Sequence, residues 1–290
     1  MVMSTETLRI LAPAPGVFAY YDGRVPGKRL HSSKPNWLDD GAYELGLASY
    51  AIVDDGEALV YDTHMSIPHA RRIREHLEAL GVSNIRVVLS HWHDDHIAGN
   101  AVFADCEIIA LRATADYLEQ NRAKMAAADP PIDPLIMPSR LFDERFDLMV
   151  GKRRVELHRF RIHTADGNVL YLPDDRLLLA GDTLEDTVTY LGEPREIPTH
   201  LAELDRLATL PVDHILPNHG DPDRIASGGY DQRLIAATHS YLAKLANGTA
   251  SADLRDTVGE EIRAGIISYF EPYEAVHRDN LRKVEKLRLG

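Results

Sequence analysis

The chain has 290 residues and an ordinary globular composition, 44% hydrophobic and 27% charged. It carries 32 Lys and Arg against 45 Asp and Glu, a formal net charge of −13, which argues against a nucleic acid or an anionic membrane as the main partner. Cys106 is the only cysteine, so a disulfide framework is excluded and the composition fits a reducing compartment. We therefore expect a cytoplasmic protein that acts on a small molecule, with no signal peptide and no membrane span.

The first part of the chain predicts two strands, a helix and a further strand. Apolar runs predict strands over 47–53, 57–62 and 85–90, and an Asp-Asp-Gly turn joins the first two into a hairpin. Between Ser66 and Leu80 the apolar residues fall at helical spacing. Ser66 is a suitable N-cap for this helix and Gly81 a suitable end.

The middle and second half of the chain repeat the alternation of strands and helices. Strands are predicted over 153–160, 168–172, 176–181 and 213–217, with a helix over 199–210, and the pattern after residue 229 is helical. These C-terminal helices are expected to cover the sheets or to pair two subunits as a homodimer.

A proline-rich segment, 129–138, follows a helix predicted from residue 112. Its apolar residues Leu135, Ile136 and Met137 make it a candidate substrate lid, with a variable surface loop as the alternative. Trp37 and Tyr43, before the first predicted strand, are candidates to line the mouth of the substrate site that this lid would cover.

The stretch SHWHDDHIAGN, residues 90–100, places three histidines and two aspartates directly after the predicted strand 85–90. Loops at the carboxyl ends of strands are where α/β proteins present functional groups. Imidazole and carboxylate groups are ligands for zinc and similar ions, and His91 and His93 can point toward one ion while Asp95 and His96 face a second position. The alternative is a solvated polar loop.

A metal site built by this loop alone would lack ligands, so further His or Asp residues are expected at other strand ends. Three are present: His163 after RFRI, Asp182 after LLLA and His219 after HILP. Each alone could be a turn residue, but together with the first motif they favour a metal site.

The ordered series His91-x-His93-x-Asp95-His96, His163, Asp182 and His219 resembles the metallo-β-lactamase-fold hydrolase superfamily over about residues 45–222. The resemblance implies an α/β protein, a four-layer αβ/βα sandwich with a two-metal site where the two sheets meet, here over 1–228, with a C-terminal helical extension over 229–290 packed on it. It assigns His91, His93 and His163 to the first metal, Asp95, His96 and His219 to the second, and Asp182 as a bridge between them. Asp62 matches a position that supports the metal loop from behind.

The ligand set implies hydrolysis. Two divalent ions lower the pKa of a shared water, so hydroxide is available near neutral pH to attack an ester-like carbonyl, and Asp95 is a candidate to orient it and to take up a proton. Zinc is favoured, with iron or manganese left open. Tyr190, eight residues after Asp182, is a candidate to polarise the substrate carbonyl.

Within this superfamily, Asp182 argues against a dedicated β-lactamase, because the resemblance places a cysteine or no ligand at that position in those enzymes. Lactonases and glyoxalase II-like thioesterases fit the ligand set, whereas tRNA-processing nucleases require a basic surface that the negative charge makes improbable. We therefore favour a lactone or thioester substrate over a β-lactam. The alternatives are a mononuclear iron thiol or persulfide dioxygenase of the same fold, or a binding module that has lost activity.

Other histidines are expected to be structural. His64, just after Asp62, fits either a support for the metal ligands or simple packing. His214, at the beginning of its strand, is expected to lie about a strand length from the metals. The remaining ones are assigned to helix faces or strand ends: His31, His69, His76, His158, His200, His239 and His277. Cys106 is expected to be a small buried apolar residue.

Overall fold

The computed structural model describes residues 4–289. Two β-sheets account for its strands. The first has seven strands in chain order: β1 (Arg9–Ala14), β2 (Val17–Asp22), β3 (Leu47–Asp54), β4 (Glu57–Tyr61), β5 (Asn84–Val88), β6 (Glu107–Leu111) and β7 (Arg140–Phe142). β1 to β4 pair antiparallel, whereas β4 to β7 pair parallel.

The second sheet has five strands in the spatial order β12-β11-β10-β9-β8. Its strands are β8 (Arg145–Val150), β9 (Arg153–Arg159), β10 (Asn168–Leu172), β11 (Leu177–Gly181) and β12 (His214–Pro217). Only β11 and β12 are parallel.

The α-helices are α1 (Ile67–Ala79), α2 (Asp94–Ile97), α3 (Arg112–Ala126), α4 (Ile197–Leu207), α5 (Pro222–Ala226), α6 (Arg233–Asn247), α7 (Leu254–Thr257), α8 (Gly259–Arg263) and α9 (Tyr273–Leu289). The longer ones, α1, α3, α4, α6 and α9, cover the outer faces of the two sheets. Ser66 caps α1 by accepting a hydrogen bond from the backbone N–H of His69, as the sequence predicts.

Three apolar clusters define the layers. One lies between the two sheets and includes Tyr50 and Leu170. A second packs the first sheet against α1 and α3, as with Val60 and Ile73. The third packs the second sheet against α4, α6 and α9, with Leu204 among its members. The order helices, sheet, sheet, helices is the predicted four-layer sandwich, with the C-terminal helices forming part of its last layer.

The predicted strands and helices are present, with bounds that differ from the predicted ones by at most three residues. The hairpin of β1 and β2 and the edge strand β8 were not predicted, because Arg9 and prolines interrupt the apolar pattern of β1 and the charged residues Arg145 and Asp147 interrupt that of β8. β2 is nevertheless buried along most of its length, since it lies between β1 and β3.

The lid prediction for 129–138 is wrong. Leu135 is buried, and Ile136 and Met137 pack with it against the first sheet in the same cluster as Ile108. The segment folds back onto the core because its apolar side chains complete the layer beside α3. Tyr43 is also buried and hydrogen-bonded to Thr7, so it does not line a mouth.

The fold places four strand ends at one edge of the sandwich. Asp62 follows β4, the motif at Ser90 and His91 follows β5, Asp182 follows β11, and His219 follows β12. Because β4 and β5 run parallel in one sheet and β11 and β12 run parallel in the other, their carboxyl ends lie together. Among the described residues, no helix combines the length and the apolar character that a membrane span requires.

Candidate metal centre

Two groups of ligand atoms lie side by side at this edge. The first consists of His91, His93, His163 and Asp182, and the second of Asp95, His96 and His219; within each group the ligand atoms lie within 4.8 Å of one another. These seven residues, which we call the candidate metal centre, are the seven predicted from the sequence. Their division into two groups follows the predicted one.

Asp182 lies between the two groups. Its Oδ2 atom is close to one ring nitrogen from each of four histidines: 3.6 Å from His91 Nε2, 3.2 Å from His96 Nε2, 3.7 Å from His163 Nε2 and 3.6 Å from His219 Nε2. In the second group, Asp95 Oδ2 lies 3.3 Å from His219 Nε2. A carboxylate in this position is suited to bridge two ions.

Hydrogen bonds fix the other ring nitrogen of four of the histidines. The Nδ1 atoms of these rings lie 2.9 Å from Ser90 Oγ for His91, 2.9 Å from Asp62 Oδ2 for His96, 2.9 Å from the Tyr190 carbonyl for His163 and 2.7 Å from the Gly46 carbonyl for His219. An Nδ1–H that donates to oxygen leaves the Nε2 lone pair free to bind a metal. These hydrogen bonds therefore direct the Nε2 atoms of the four rings toward the candidate metal centre.

Asp62 organises the region behind the ligands. Its buried carboxylate accepts hydrogen bonds from the Ser90 backbone N–H at 2.6 Å, the Ser90 hydroxyl at 2.6 Å and Asn218 Nδ2 at 2.6 Å, in addition to His96. It thus connects the ends of β4, β5 and β12. This is the supporting position that the sequence predicts.

Two of these residues have a backbone conformation that side chains rarely adopt. Asp62 has a φ of 67° and His163 a φ of 68°. Such conformations cost of order 1–3 kcal/mol and persist where the surrounding contacts enforce them. Here the contacts that enforce them also aim the two side chains at the candidate metal centre.

The donor set fits divalent ions. Within the described residues, the buried atoms His91 Nε2, His96 Nε2 and Asp182 Oδ1 have no hydrogen-bond partner, although buried polar atoms are almost always paired. His163 Nε2 and His93 Nδ1 face each other at 3.0 Å, an arrangement that an ion bound by both nitrogens would satisfy. Imidazole and carboxylate groups without a thiolate suit zinc, iron and manganese alike.

The electrostatics differ between the two groups. Burial lowers the pKa of His93 to about 3 and also lowers the pKa of His163, so these rings are neutral, as metal ligands must be. For His219, burial acts in the same direction, but the carboxylates of Asp182 and Asp95 outweigh it and raise the pKa to about 9. A divalent cation at the second position would displace this proton.

A cleft of about 470 Å³ opens above the candidate metal centre. Its walls are largely apolar. Residues that line it, apart from metal ligands, are Trp37, Ala42, Leu45, Trp92, Asp94, Lys124, Met125, Ala128, Glu185, Tyr190, Val276 and Asp279, among others. Within the described chain, no residue of 129–138 is part of this lining.

The other predicted residues divide between the cleft and the core. Tyr190 and Trp37 line the cleft, as predicted, and Trp37 Nε1 donates to the Pro130 carbonyl at 2.9 Å. His64 is a packing residue, stacked on His69 at 4.6 Å between ring centres. His69, expected on a helix face, is fully buried.

Sequence reasoning missed Glu185, which lies in the floor of the cleft. Burial and the neighbouring Asp182 raise the pKa of its carboxyl group to about 7. Its position three residues after Asp182 was the only available indication. Asn218, next to His219, was missed in the same way.

Comparisons with known proteins agree with this geometry. Residues 43–219 match the model of the metallo-β-lactamase superfamily. The chain is 21% identical over 285 residues to a linear primary-alkylsulfatase of Pseudomonas sp. (strain ATCC 19151), covering 80% of this chain and 54% of that protein. It is 25% identical over 219 residues to the beta-lactamase-like protein 2 homolog of Caenorhabditis elegans, covering 75% of this chain and 62% of that protein. The chain thus spans little more than half the length of these curated relatives.

Solved structures show the same fold. The metallo-β-lactamase from Pontibacter korlensis superposes with a TM-score of 0.63 at 18% identity, over 81% of this chain and 99% of that one. DIM-1 metallo-β-lactamase gives a TM-score of 0.63 at 19% identity, over 82% of this chain and 97% of that one. With the family match over more than half of its length, the chain belongs to the metallo-β-lactamase superfamily.

Proposed function

We propose that this protein is a dinuclear hydrolase that cleaves an ester-like carbonyl bond, in a lactone or a thioester, in a small and partly apolar substrate. The observation that carries the proposal is the pair of adjoining ligand groups that share Asp182 Oδ2 at the floor of an apolar cleft. Two zinc ions, or iron or manganese, are the proposed cofactors. When bound, such ions make hydroxide available near neutral pH and polarise the scissile bond.

The chain's own residues have distinct roles in this proposal. Asp95 belongs to the second ligand group and also lines the cleft, so its carboxylate is placed to orient the attacking water and to take up a proton. Tyr190 also lines the cleft, beside His163, with ring centres 6.0 Å apart. We assign its hydroxyl to the substrate's carbonyl oxygen.

The walls of the cleft support a partly apolar substrate. Trp37, Trp92 and Met125 provide large apolar surfaces, and Trp92 is itself held by stacking on Tyr117 at 5.8 Å. Lys124 is the one cation among the described residues that line the cleft, against several carboxylates. A polyanion such as a nucleic acid would be repelled, whereas an acyl or aromatic group would be well accommodated.

A sulfate ester is the second candidate substrate. A relative that matches 80% of this chain is a linear primary-alkylsulfatase, and an apolar cleft of about 470 Å³ would also accept an alkyl chain. Hydrolysis of a primary alkyl sulfate uses the same activated water. The carbonyl substrate is favoured because this chain, with Asp95 and Asp182, has the complete ligand set that its resemblance to lactonases and thioesterases implies.

The test begins with elemental analysis of protein purified without chelator or added metal. Two divalent ions per chain are expected. The protein is then assayed with acyl lactones, acyl thioesters, β-lactams and primary alkyl sulfates, with chelator-treated protein as the control. The proposal is supported if the protein hydrolyses a lactone or a thioester and loses this activity when the metals are removed. Hydrolysis of alkyl sulfates alone would instead support the second candidate substrate, a sulfate ester. A single iron per chain with oxygen-dependent thiol chemistry overturns both.

A further inference from the structure

The C-terminal helix α9 contacts the loop that follows the bridging aspartate. This loop, residues 183–191, carries Tyr190 and passes beside the candidate metal centre. Asn280 of α9 is fully buried and is not among the residues that line the cleft. Its side chain therefore faces the loop without access to substrate.

Asn280 holds the backbone on both sides of Tyr190. Its Oδ1 accepts a hydrogen bond from the Leu191 N–H at 2.9 Å, and its Nδ2 donates to the Thr189 carbonyl at 3.0 Å. The second N–H of the amide donates to the Tyr241 hydroxyl at 3.0 Å. A buried amide with its donors and acceptor used in this way tolerates little movement of its partners.

The peptide group that Asn280 brackets orients a metal ligand. The Tyr190 carbonyl accepts the hydrogen bond of His163 Nδ1 at 2.9 Å, which directs His163 Nε2 toward Asp182. Gly192, two residues after Tyr190, lies so close that a Cβ there would be 2.8 Å from the His163 carbonyl oxygen. Any shift of Tyr190 would therefore be transmitted to His163.

Two other contacts join the same loop to α9. Lys283 Nζ donates to the Leu191 carbonyl at 3.0 Å. Glu185 accepts from the Tyr190 N–H at 2.9 Å and from the Tyr273 hydroxyl at 3.0 Å. The N–H and the carbonyl of Tyr190 are thus both hydrogen-bonded. Helix α9 contacts the loop through Tyr273, Asn280 and Lys283.

We propose that Asn280 is a positioning residue for the first metal position, acting through the Tyr190 carbonyl on the orientation of His163. The C-terminal helices then serve the chemistry as well as the stability of the fold. This inference rests on the proposed metal centre. Removing a group that directly orients a metal-bound histidine typically lowers metal affinity about 10- to 100-fold, and since Asn280 acts one step further out, we expect about a 10-fold loss.

The test measures zinc affinity at the first position by competition with a chromophoric chelator. It is run in the His219→Ala background, where the second position is disabled, and uses Zn²⁺ alone as the probe. N280D preserves the shape of the side chain but removes both N–H donors. The matched control is H277Q, because His277 is equally buried on α9 and shares the partner Tyr241 with Asn280, but its other hydrogen bond goes to the Ser251 carbonyl and not to the loop.

The inference is supported if N280D binds Zn²⁺ about 10-fold more weakly while H277Q binds it like the parent, whatever the fall in Tm of either variant. It is overturned if N280D retains the parent affinity, or if both variants lose affinity equally. If N280D does not fold, N280S decides, because the shorter side chain introduces no charge and still loses the bonds to the Leu191 N–H and the Thr189 carbonyl: weaker zinc binding supports the inference, and unchanged binding overturns it. Absence of zinc binding by the unmutated protein would instead refute the proposed function, and this inference with it.

Discussion

Two groups of buried histidines lie near the same edge of the first sheet, and only one has the geometry of a metal site. His64 and His69 stack on each other, and all four of their ring nitrogens have partners: the Tyr20 carbonyl and the Met65 N–H for His64, and Ser66 Oγ and Asp22 Oδ2 for His69. In the candidate metal centre, His91 and His96 each have one partnered nitrogen, and the other lies without a partner beside Asp182.

The difference shows which feature distinguishes a ligand from a packing residue. Both groups are buried, and both follow the ends of strands or begin helices, so neither burial nor position separates them. Both also contain a buried aspartate and a serine bonded to a histidine. What differs is convergence: in one group the free ring nitrogens point at a common carboxylate, and in the other every polar atom of the rings is already satisfied.

The largest effect is expected from removing a ligand. His219→Ala should reduce the metal content from two ions per chain to one and lower activity by about 100-fold or more, beyond the 10- to 100-fold typical of a supporting residue. His69→Ala should retain both ions although it leaves Asp22 Oδ2 buried without a partner, at a cost of about 1–3 kcal/mol or more in the free energy of unfolding. Elemental analysis and thermal unfolding of both variants measure the contrast.

The exposed His214 provides a second control for this experiment. It lies at the beginning of β12, whereas His219 follows the end of that strand, so His214→Ala should leave the metal content intact. Equal loss of metal from His214→Ala and His219→Ala would refute the assignment of His219.

A smaller effect is expected from the buried aspartates. Asp62→Asn replaces an acceptor of four hydrogen bonds by a group that presents an N–H to some of the same donors, and metal affinity should fall about 10- to 100-fold. Asp22→Asn should lower the free energy of unfolding by about 1–3 kcal/mol without changing metal affinity. Chelator competition on both variants tests this, and a comparable loss of affinity in Asp22→Asn would mean that the two histidine groups are coupled.

Much of this arrangement could be predicted from the sequence because it depends on local pattern. Apolar runs in the sequence predict β5, β11 and β12. Because parallel strands end at the same edge of a sheet, the polar residues that follow these runs are expected to lie at one edge of the sandwich. The status of His64 could not be predicted in this way. It follows Asp62 by two residues, as a ligand might, and its partner His69 becomes visible only when α1 packs against the first sheet.

The errors have the same physical origin. The segment 129–138 has the composition of an exposed loop, yet Leu135 is buried beside α3, because burial depends on which surface a distant element leaves uncovered. Asn280 lies about 90 residues beyond Tyr190 in the chain, and nothing in the local sequence links them. Contacts of this kind are set by tertiary packing, so the sequence pattern does not predict orienting residues that lie far along the chain, such as Asn280.

The smallest effect comes from two serines that occupy equivalent places in the two groups. Ser90 Oγ donates to Asp62 Oδ2 at 2.6 Å and accepts from His91 Nδ1 at 2.9 Å. Ser90→Ala therefore leaves His91 free to rotate and should weaken metal binding at the first position by about 10-fold, the lower end of the range for such partners. Ser66 Oγ lies 2.6 Å from His69 Nδ1 and also caps α1. Ser66→Ala should therefore lower the free energy of unfolding by about 1 kcal/mol and leave metal affinity unchanged. If chelator competition shows the same affinity for the two variants, the orientation of His91 does not depend on Ser90, and convergence of free ring nitrogens alone would account for the difference between the two groups.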